Sequence, residues 1–241
     1  MVAQFEITII QTFSSLTIEL FFHLTLQLYS LGERLENESI VQTVADFYSK
    51  WCMTKRNAVE FLKLGQTFQN KALLEAAVLK CSQEIWSMDV ESASKIDPGL
   101  LLRILSIATT TARSEKSEYD SIKLSRMVAI SASHASTVTL TLDIFRSLTS
   151  ELILPTLEPI AAIELLATEN TLLSVGTVPV IGDSSFHGRC VSSIQKHWDL
   201  VRKRLSESPE LANAMKSIPS MVLYELLMKT TASSTAAPMQ L

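Results

Sequence analysis

Apolar residues recur along most of this chain at spacings of three and four, which places their side chains on one face of a helix. Up to residue 108 this pattern predicts helices at about 19–35, 39–51, 54–65, 70–86 and 98–108. Further along it predicts helices at about 120–133, 136–149, 159–167 and 186–205, and two more that start at Ser208-Pro209 and Ile218-Pro219. The expected fold class is all-α, with about ten helices stacked as antiparallel pairs.

Two stretches of the chain repeat the same order of features. Asn57–Leu62 (NAVEFL) recurs as Ala161–Leu166 (AAIELL). After each copy come a cysteine, an isoleucine and an apolar stripe: Cys81, Ile85, then Ile96, Leu100, Leu101, Ile104, Leu105; and Cys190, Ile194, then Ile218, Val222, Leu223, Leu226, Leu227. A period of roughly a hundred residues suits a duplicated helical subdomain.

The repeat and the local composition predict how the chain is organised. We expect a helical subdomain at 1–108, a polar linker at 109–119 and a second, similar helical subdomain at 120–230. The tail at 231–241 lacks a periodic apolar face and is predicted to be disordered. Asp97-Pro98 is the clearest helix start, because a carboxylate caps the first amides and proline suits the first helical position.

The composition narrows the class of protein. Apolar residues make up 47% of the 241 residues, and 6 glycines and 7 prolines leave few tight turns, which favours helices over a sheet. The net charge is −4 without a dense basic tract, so no nucleic-acid partner is expected. The widely spaced Cys52, Cys81 and Cys190 suggest no disulfide framework, which favours an intracellular location, cytoplasmic or nuclear.

The uncharged stretch at residues 7–18 raises the question of a signal peptide or a membrane segment. Glu6 precedes it and no Lys or Arg comes before Arg34, which argues against a signal peptide. A spanning helix needs about 20 apolar residues, and polar residues interrupt the run at Gln11, Glu19, His23 and Gln27. We therefore favour a buried amphipathic segment over membrane contact. Because no domain start is recognisable here, we also expect a fragment of a longer protein.

Three blocks in the first half carry a resemblance to a known family: NAVEFLKLG at 57–65, NKALLEAA at 70–77 and VLKC at 78–81. They resemble the BACK-type helical region that follows the strand-rich core of BTB-domain adaptor proteins. The resemblance covers 40–108 and, through the duplication, 120–230; no strand pattern of a BTB core precedes it. It implies antiparallel helix pairs that position a substrate-recognition module or contact a cullin. The implied partner is a protein, such as a ubiquitin-ligase component.

Two local patterns raise the question of catalytic or metal chemistry. VPVIGDSSFHG at 178–188 resembles the strand-then-GDS block of GDSL-type hydrolases, in which Ser184 would be the nucleophile. No Asp-x-x-His pair follows it, and a serine without a positioned base is a weak nucleophile. His187 and Cys190 could face the same side of a helix, but no second pair completes a zinc site. We expect a surface histidine beside a core cysteine.

The densest group of basic residues lies in the run KHWDLVRKR at 196–204. Trp198, Arg202, Lys203 and Arg204 are the candidate partner-binding residues, since Trp is favoured at binding hot spots. The alternatives are helix packing for the tryptophan and an ordinary solvated helix face for the cations. We expect no catalytic, cofactor or metal site. The prediction is a non-enzymatic interaction scaffold or adaptor, similar to the helical part of BTB-type ubiquitin-ligase substrate adaptors. The alternatives are a serine hydrolase using Ser184 and a peripheral membrane protein using residues 1–32.

Overall fold

The computed structural model describes residues 32, 34, 39–40, 43, 53–54, 57–67, 69–115, 119–136, 139–173 and 185–234. Within these residues the regular structure is helical and there is no strand, which confirms the all-α fold class. None of the helices in this part of the chain is both long enough and apolar enough to cross a membrane. Residues 1–31 of the segment considered for membrane contact lie outside the described residues, as does nearly all of the helix predicted at 39–51.

The described residues contain eleven helices, which we number in chain order. They are α1 (Ala58–Thr67), α2 (Lys71–Glu84), α3 (Val90–Ser94), α4 (Pro98–Ser114), α5 (Ser121–His134), α6 (Leu142–Leu148), α7 (Pro159–Leu172), α8 (Phe186–Lys196), α9 (Trp198–Glu207), α10 (Pro209–Lys216) and α11 (Ser220–Ser234).

The chain divides into two compact units, Met1–Glu84 and Ile85–Leu241. In the first unit α1 lies against α2. The contact is close because Gly65 has no side chain: a Cβ atom there would lie 3.0 Å from both Cα and N of Leu74. Gly65 is buried, so the two backbones approach at this point without solvent between them.

The second unit is organised around α7, which packs against α5, α6, α8 and α10. Every residue from Leu157 to Glu169 is buried or half-buried. A helix that is apolar around most of its circumference has to be covered on several sides. The residues of α7 that are fully buried are mostly small or branched: Pro159, Ala161, Ala162, Ile163, Leu165, Leu166 and Glu169.

The first turn of α7 is held by side chains from two neighbouring helices. Glu158 caps it, since its Oε2 accepts a hydrogen bond of 2.8 Å from the backbone N–H of Ala161. The backbone N–H of Glu158 donates to Oγ of Ser125 on α5 at 3.0 Å, and Oγ of Ser193 on α8 donates to the carbonyl of Leu157 at 2.7 Å. These bonds satisfy backbone groups that would otherwise be buried without partners.

Two predicted helix starts are confirmed. Asp97 caps α4: its Oδ1 accepts from the N–H groups of Gly99 at 2.9 Å and Leu100 at 3.3 Å, with proline at the first helical position. Ser208 caps α10 in the same way, by accepting from the N–H of Leu211 at 3.2 Å.

Several boundaries differ from the predicted ones. Helix α4 continues to Ser114, so the first part of the segment predicted as a linker, 109–119, is helical. Helix α6 starts only at Leu142, because the side chain of Thr141 caps it and the preceding residues include β-branched ones. Helix α11 continues to Ser234, into the segment predicted to be disordered, and 235–241 lie outside the described residues.

The segment predicted as one helix at 186–205 forms two helices, α8 and α9. It breaks at His197, whose φ of −123° and ψ of 32° are not helical. The N–H of His197 donates to the carbonyl of Ile194 at 3.3 Å, a tighter closure than that of an α-helix. Neither Gly nor Pro marks the break, and the apolar spacing continues across it. Periodicity shows which side is buried and does not show where an axis bends.

The predicted duplication is not shown by the structure and stays a prediction. Ala58 and Ala162 are both completely buried, as are Cys81 and Cys190. However, the boundary between the two compact units falls between Cys81 and Ile85, inside the proposed first copy.

The close approach of α1 and α2 generates a testable prediction. Replacing Gly65 by Ala should lower the free energy of unfolding by about 1–3 kcal/mol, because the added methyl group meets backbone atoms that cannot move aside. Helix propensity alone predicts the opposite, a gain of about 1 kcal/mol. The adjacent Gln66→Ala is the matched control, since Gln66 is exposed. Urea unfolding followed by circular dichroism measures both, and a Gly65→Ala variant as stable as the parent would contradict the close contact.

Candidate protein-interaction surface

Helix α9 carries the four predicted partner-binding residues. Of the described helices with ten or more residues, it has the fewest buried ones. Val201 is its only fully buried residue. Trp198 and Leu205 are half-buried, and the remaining positions are exposed. The helix lies against α8 and α10 through this narrow side. A helix with so little buried area contributes little to the core, because stabilisation scales with the apolar area removed from water.

The exposed side of α9 has a definite order. Leu200, Lys203, Arg204 and Glu207 are spaced i, i+3, i+4 and i+7, so they lie along one face, which we call the outer face of α9. Leu200 is 45% exposed although it is apolar. Lys203 and Arg204 lie one turn further along the same face and are exposed.

Trp198 and Arg202 lie on a different flank of α9, four residues apart. The structure thus brings all four predicted residues onto one short helix. Lys203 and Arg204 lie on its outer face, whereas Trp198 and Arg202 lie on the side away from Leu200. Leu200, which the sequence analysis did not select, lies in the row with Lys203 and Arg204. The helical spacing of the apolar residues Ile194, Trp198, Val201 and Leu205 already leaves Leu200 off the buried side, which is the signal that could have selected it.

The electrostatics of α9 are positive in an otherwise acidic chain, whose net charge is −4. Arg204 Nη1 lies 3.5 Å from Glu207 Oε2, in an exposed pair that contributes little to stability. In the part of the chain that the structure describes, neither Arg202 nor Lys203 has a carboxylate within ion-pair distance. Asp199 lies in the first turn, where a negative charge favours the helix dipole.

A buried contact between a histidine and a carboxylate lies where α8 begins. His187 Nε2 is 2.6 Å from Glu169 Oε2, and the two side chains are only 8% and 5% exposed. The expectation of a surface histidine is therefore wrong: His187 is buried against α7 and has a carboxylate partner. Periodicity could not find this pair because the partners are far apart in sequence and Glu169 was assigned to no helix face.

Other contacts fix the same turn of α8. Ser185 caps it by accepting from the N–H of Gly188 at 3.1 Å. The ring of Phe186 packs edge-on against Phe145 of α6, with centroids 5.6 Å apart. The guanidinium of Arg189 donates to the carbonyl of Thr149. The start of α8 is thus tied to α6 and α7, and the position of α9 follows from it through the break at His197.

The described cysteines are not placed for chemistry. Burial raises the pKa of the Cys81 thiol to about 12. Burial also raises the pKa of Cys190 well above its ordinary value, and the charge of Glu169 adds to this effect. Because the thiolate is the nucleophile and the metal ligand, the raised pKa values disfavour reaction of either cysteine at neutral pH. Among the described residues there is no group of three His, Cys, Asp or Glu side chains that could hold a metal ion.

Comparison with known proteins adds no family or function. No family model, no curated protein and no solved structure matches the chain. Ser184, the nucleophile of the hydrolase alternative, lies outside the described residues, as does Cys52.

The buried pair predicts a non-additive pattern of stability. Glu169→Leu and His187→Leu should each lower the free energy of unfolding by about 3–5 kcal/mol, because each leaves one polar partner buried without the other. The double variant should lose about 1–3 kcal/mol less than the sum of the single losses.

Thermal and urea unfolding of the four proteins in this cycle measure the coupling. Glu164→Gln is the matched control on α7: burial raises the pKa of Glu164 and the charge of Glu158 adds to it, so neutralising this residue should cost little. Strictly additive losses would show that the two side chains do not interact.

Proposed function

We propose that the chain is a non-enzymatic protein-interaction scaffold or adaptor, and that α9 is a partner-binding element. The observation that carries the proposal is that α9 is rich in Trp, Arg and Lys but buries very little of its surface. Only Val201 is fully buried, and the helix displays Trp198, Arg202, Lys203 and Arg204 on its accessible sides. A helix that adds little to the core but exposes these residue types is best explained by binding.

The types of residue on α9 support a protein partner. Trp and Arg dominate the residues that carry binding energy at protein interfaces. Trp198 is half-buried, so its ring is partly held in place before a partner arrives. A side chain that is already ordered loses less conformational entropy on binding.

A second exposed feature supports the same function. Helix α11 exposes Met221, Tyr224 and Met228, spaced i, i+3 and i+7 on one face and exposed by 53%, 62% and 53%. Methionine and tyrosine are frequent at adaptable binding surfaces. A chain that exposes apolar side chains on α9 and on α11 has the surface expected of a scaffold.

The proposal also covers the relation of the two halves of the chain, the class of partner and the cellular location. We propose two related helical subdomains similar to the BACK-type region of BTB adaptors, with a ubiquitin-ligase component as the partner. The complete burial of Ala58, Ala162, Cys81 and Cys190 supports this relation. The proposal includes an intracellular location, which the free thiols of Cys81 and Cys190 support.

Site-specific photo-crosslinking in cells tests the role of α9. A benzophenone amino acid at Leu200 should capture a defined protein band, whereas the same group at Ile122 of α5, exposed by 49% against 45% for Leu200, should not. Arg202→Glu with Lys203→Glu should reduce the captured band by about tenfold or more, because reversed charge repels the partner.

The matched control for charge is Arg103→Glu with Arg146→Glu, two exposed arginines on α4 and α6. It changes the net charge by the same amount and should leave the band unchanged. Equal capture at Leu200 and Ile122, or equal loss with both charge variants, would contradict a partner site on α9.

A second candidate function is a serine hydrolase that uses Ser184, and one observation favours it. His187 follows Ser184 by three positions and has Glu169 at 2.6 Å, a pair of the kind in which a carboxylate orients a histidine base. The scaffold is favoured because His187 is only 6% exposed, which leaves a substrate little access.

A fluorophosphonate probe separates the two functions. A hydrolase would be labelled, and Ser184→Ala would remove the label while Ser147→Ala, at an exposed serine of α6, would not. We expect the intact chain to stay unlabelled. Labelling that depends on Ser184 would replace the scaffold proposal with the hydrolase.

A further inference from the structure

We propose that the outer face of α9 binds an acidic segment of a partner protein in which carboxylates flank one apolar side chain. This inference rests on the proposed function of α9 as a partner-binding element and names the chemistry of what it binds.

The charges on α9 select an acidic ligand. Lys203 and Arg204 are exposed on the outer face, whereas Arg202 lies on the other side of the helix with Trp198. Of the two carboxylates on the helix, Glu207 is paired with Arg204 and Asp199 lies in the first turn. Lys196, at the end of α8, is also exposed and adds a further positive charge nearby. Complementary charge speeds the association of an acidic ligand with these cations, whereas the same cations repel a basic ligand.

Leu200 adds an apolar requirement. It is 45% exposed and lies one helical turn before the two cations on the same face. One turn of helix rises about 5.4 Å, so an apolar contact and two ionic contacts fit within a single short segment. A peptide that places one leucine-like side chain between carboxylates satisfies both kinds of contact at once.

A membrane surface fits this face less well than a protein segment does. An interfacial helix needs a broad apolar face that enters the lipid, and on the outer face of α9 the only apolar side chain is Leu200. Nucleic acid fits less well again, because phosphate binding needs more cations than α9 presents.

Synthetic peptides test the inference with the full chain. The probes are three fluorescein-labelled peptides of equal length: one with a single leucine between glutamates, one with glutamine in place of glutamate, and one with alanine in place of leucine. Fluorescence anisotropy should show binding of the first peptide, weakening as salt rises. The glutamine peptide should bind about tenfold more weakly or worse, and the alanine peptide several-fold more weakly.

Two variants connect the binding to the outer face. Lys203→Glu with Arg204→Glu should weaken the acidic peptide by about tenfold or more, and the milder Lys203→Gln with Arg204→Gln should weaken it by a smaller factor. The exposed pair Arg103→Glu with Arg146→Glu is the control and should bind as the parent does. Circular dichroism confirms that each variant is folded.

Three results would overturn the inference. They are no binding of the acidic peptide, binding that the outer-face variants do not weaken, and binding to vesicles of phosphatidylcholine with phosphatidylserine that the same variants abolish. The photo-crosslink at Leu200 separates this failure from that of the proposed function. Capture of a protein there without binding of acidic peptides ends the inference and keeps the scaffold, whereas loss of both ends both.

Discussion

The burial of α7 is the constraint on which the larger unit depends. This helix has neighbours on several sides, and every position from Leu157 to Glu169 is buried or half-buried. Alanines at 161 and 162 allow the surrounding helices to come close, while the branched residues that follow them fill the remaining space. Since α5, α6, α8 and α10 all use α7 as a common contact, their relative positions are set by one helix.

The position of α9 follows from this arrangement through a short chain of contacts. Glu169 lies on the same helix and holds His187 at the start of α8. Helix α8 then runs to Lys196, where the break at His197 redirects the chain into α9. A weakly buried helix is therefore carried by a firmly anchored one. Its outer face needs little stability of its own, because the orientation comes from the well-packed elements before it.

Much of the fold could be predicted from the sequence, and the candidate site could be predicted only in part. Helix existence and the starts at Asp97 and Ser208 were predictable, because capping and apolar spacing are local properties. The break at His197 and the short helix α3 were not, since each depends on tertiary contacts or on a few residues without periodicity. The same limit applies to the site. The cations of α9 and the outward position of Leu200 follow from the sequence, but the partner of His187 is a property of the folded chain.

The likeness between the two alanine-containing stretches has a physical cause that does not require common ancestry. A helix that closely approaches another needs small residues at the contact and large apolar ones beside it. Helix α1 meets this need on one side, with Glu60 and Lys63 exposed. Helix α7 meets it on several sides, and its Glu164 is half-buried. The two helices therefore have similar sequences although α7 is buried on more sides than α1. Duplication would have to be argued from a shared order of contacts, and the unit boundary after Glu84 divides the first of the two proposed copies.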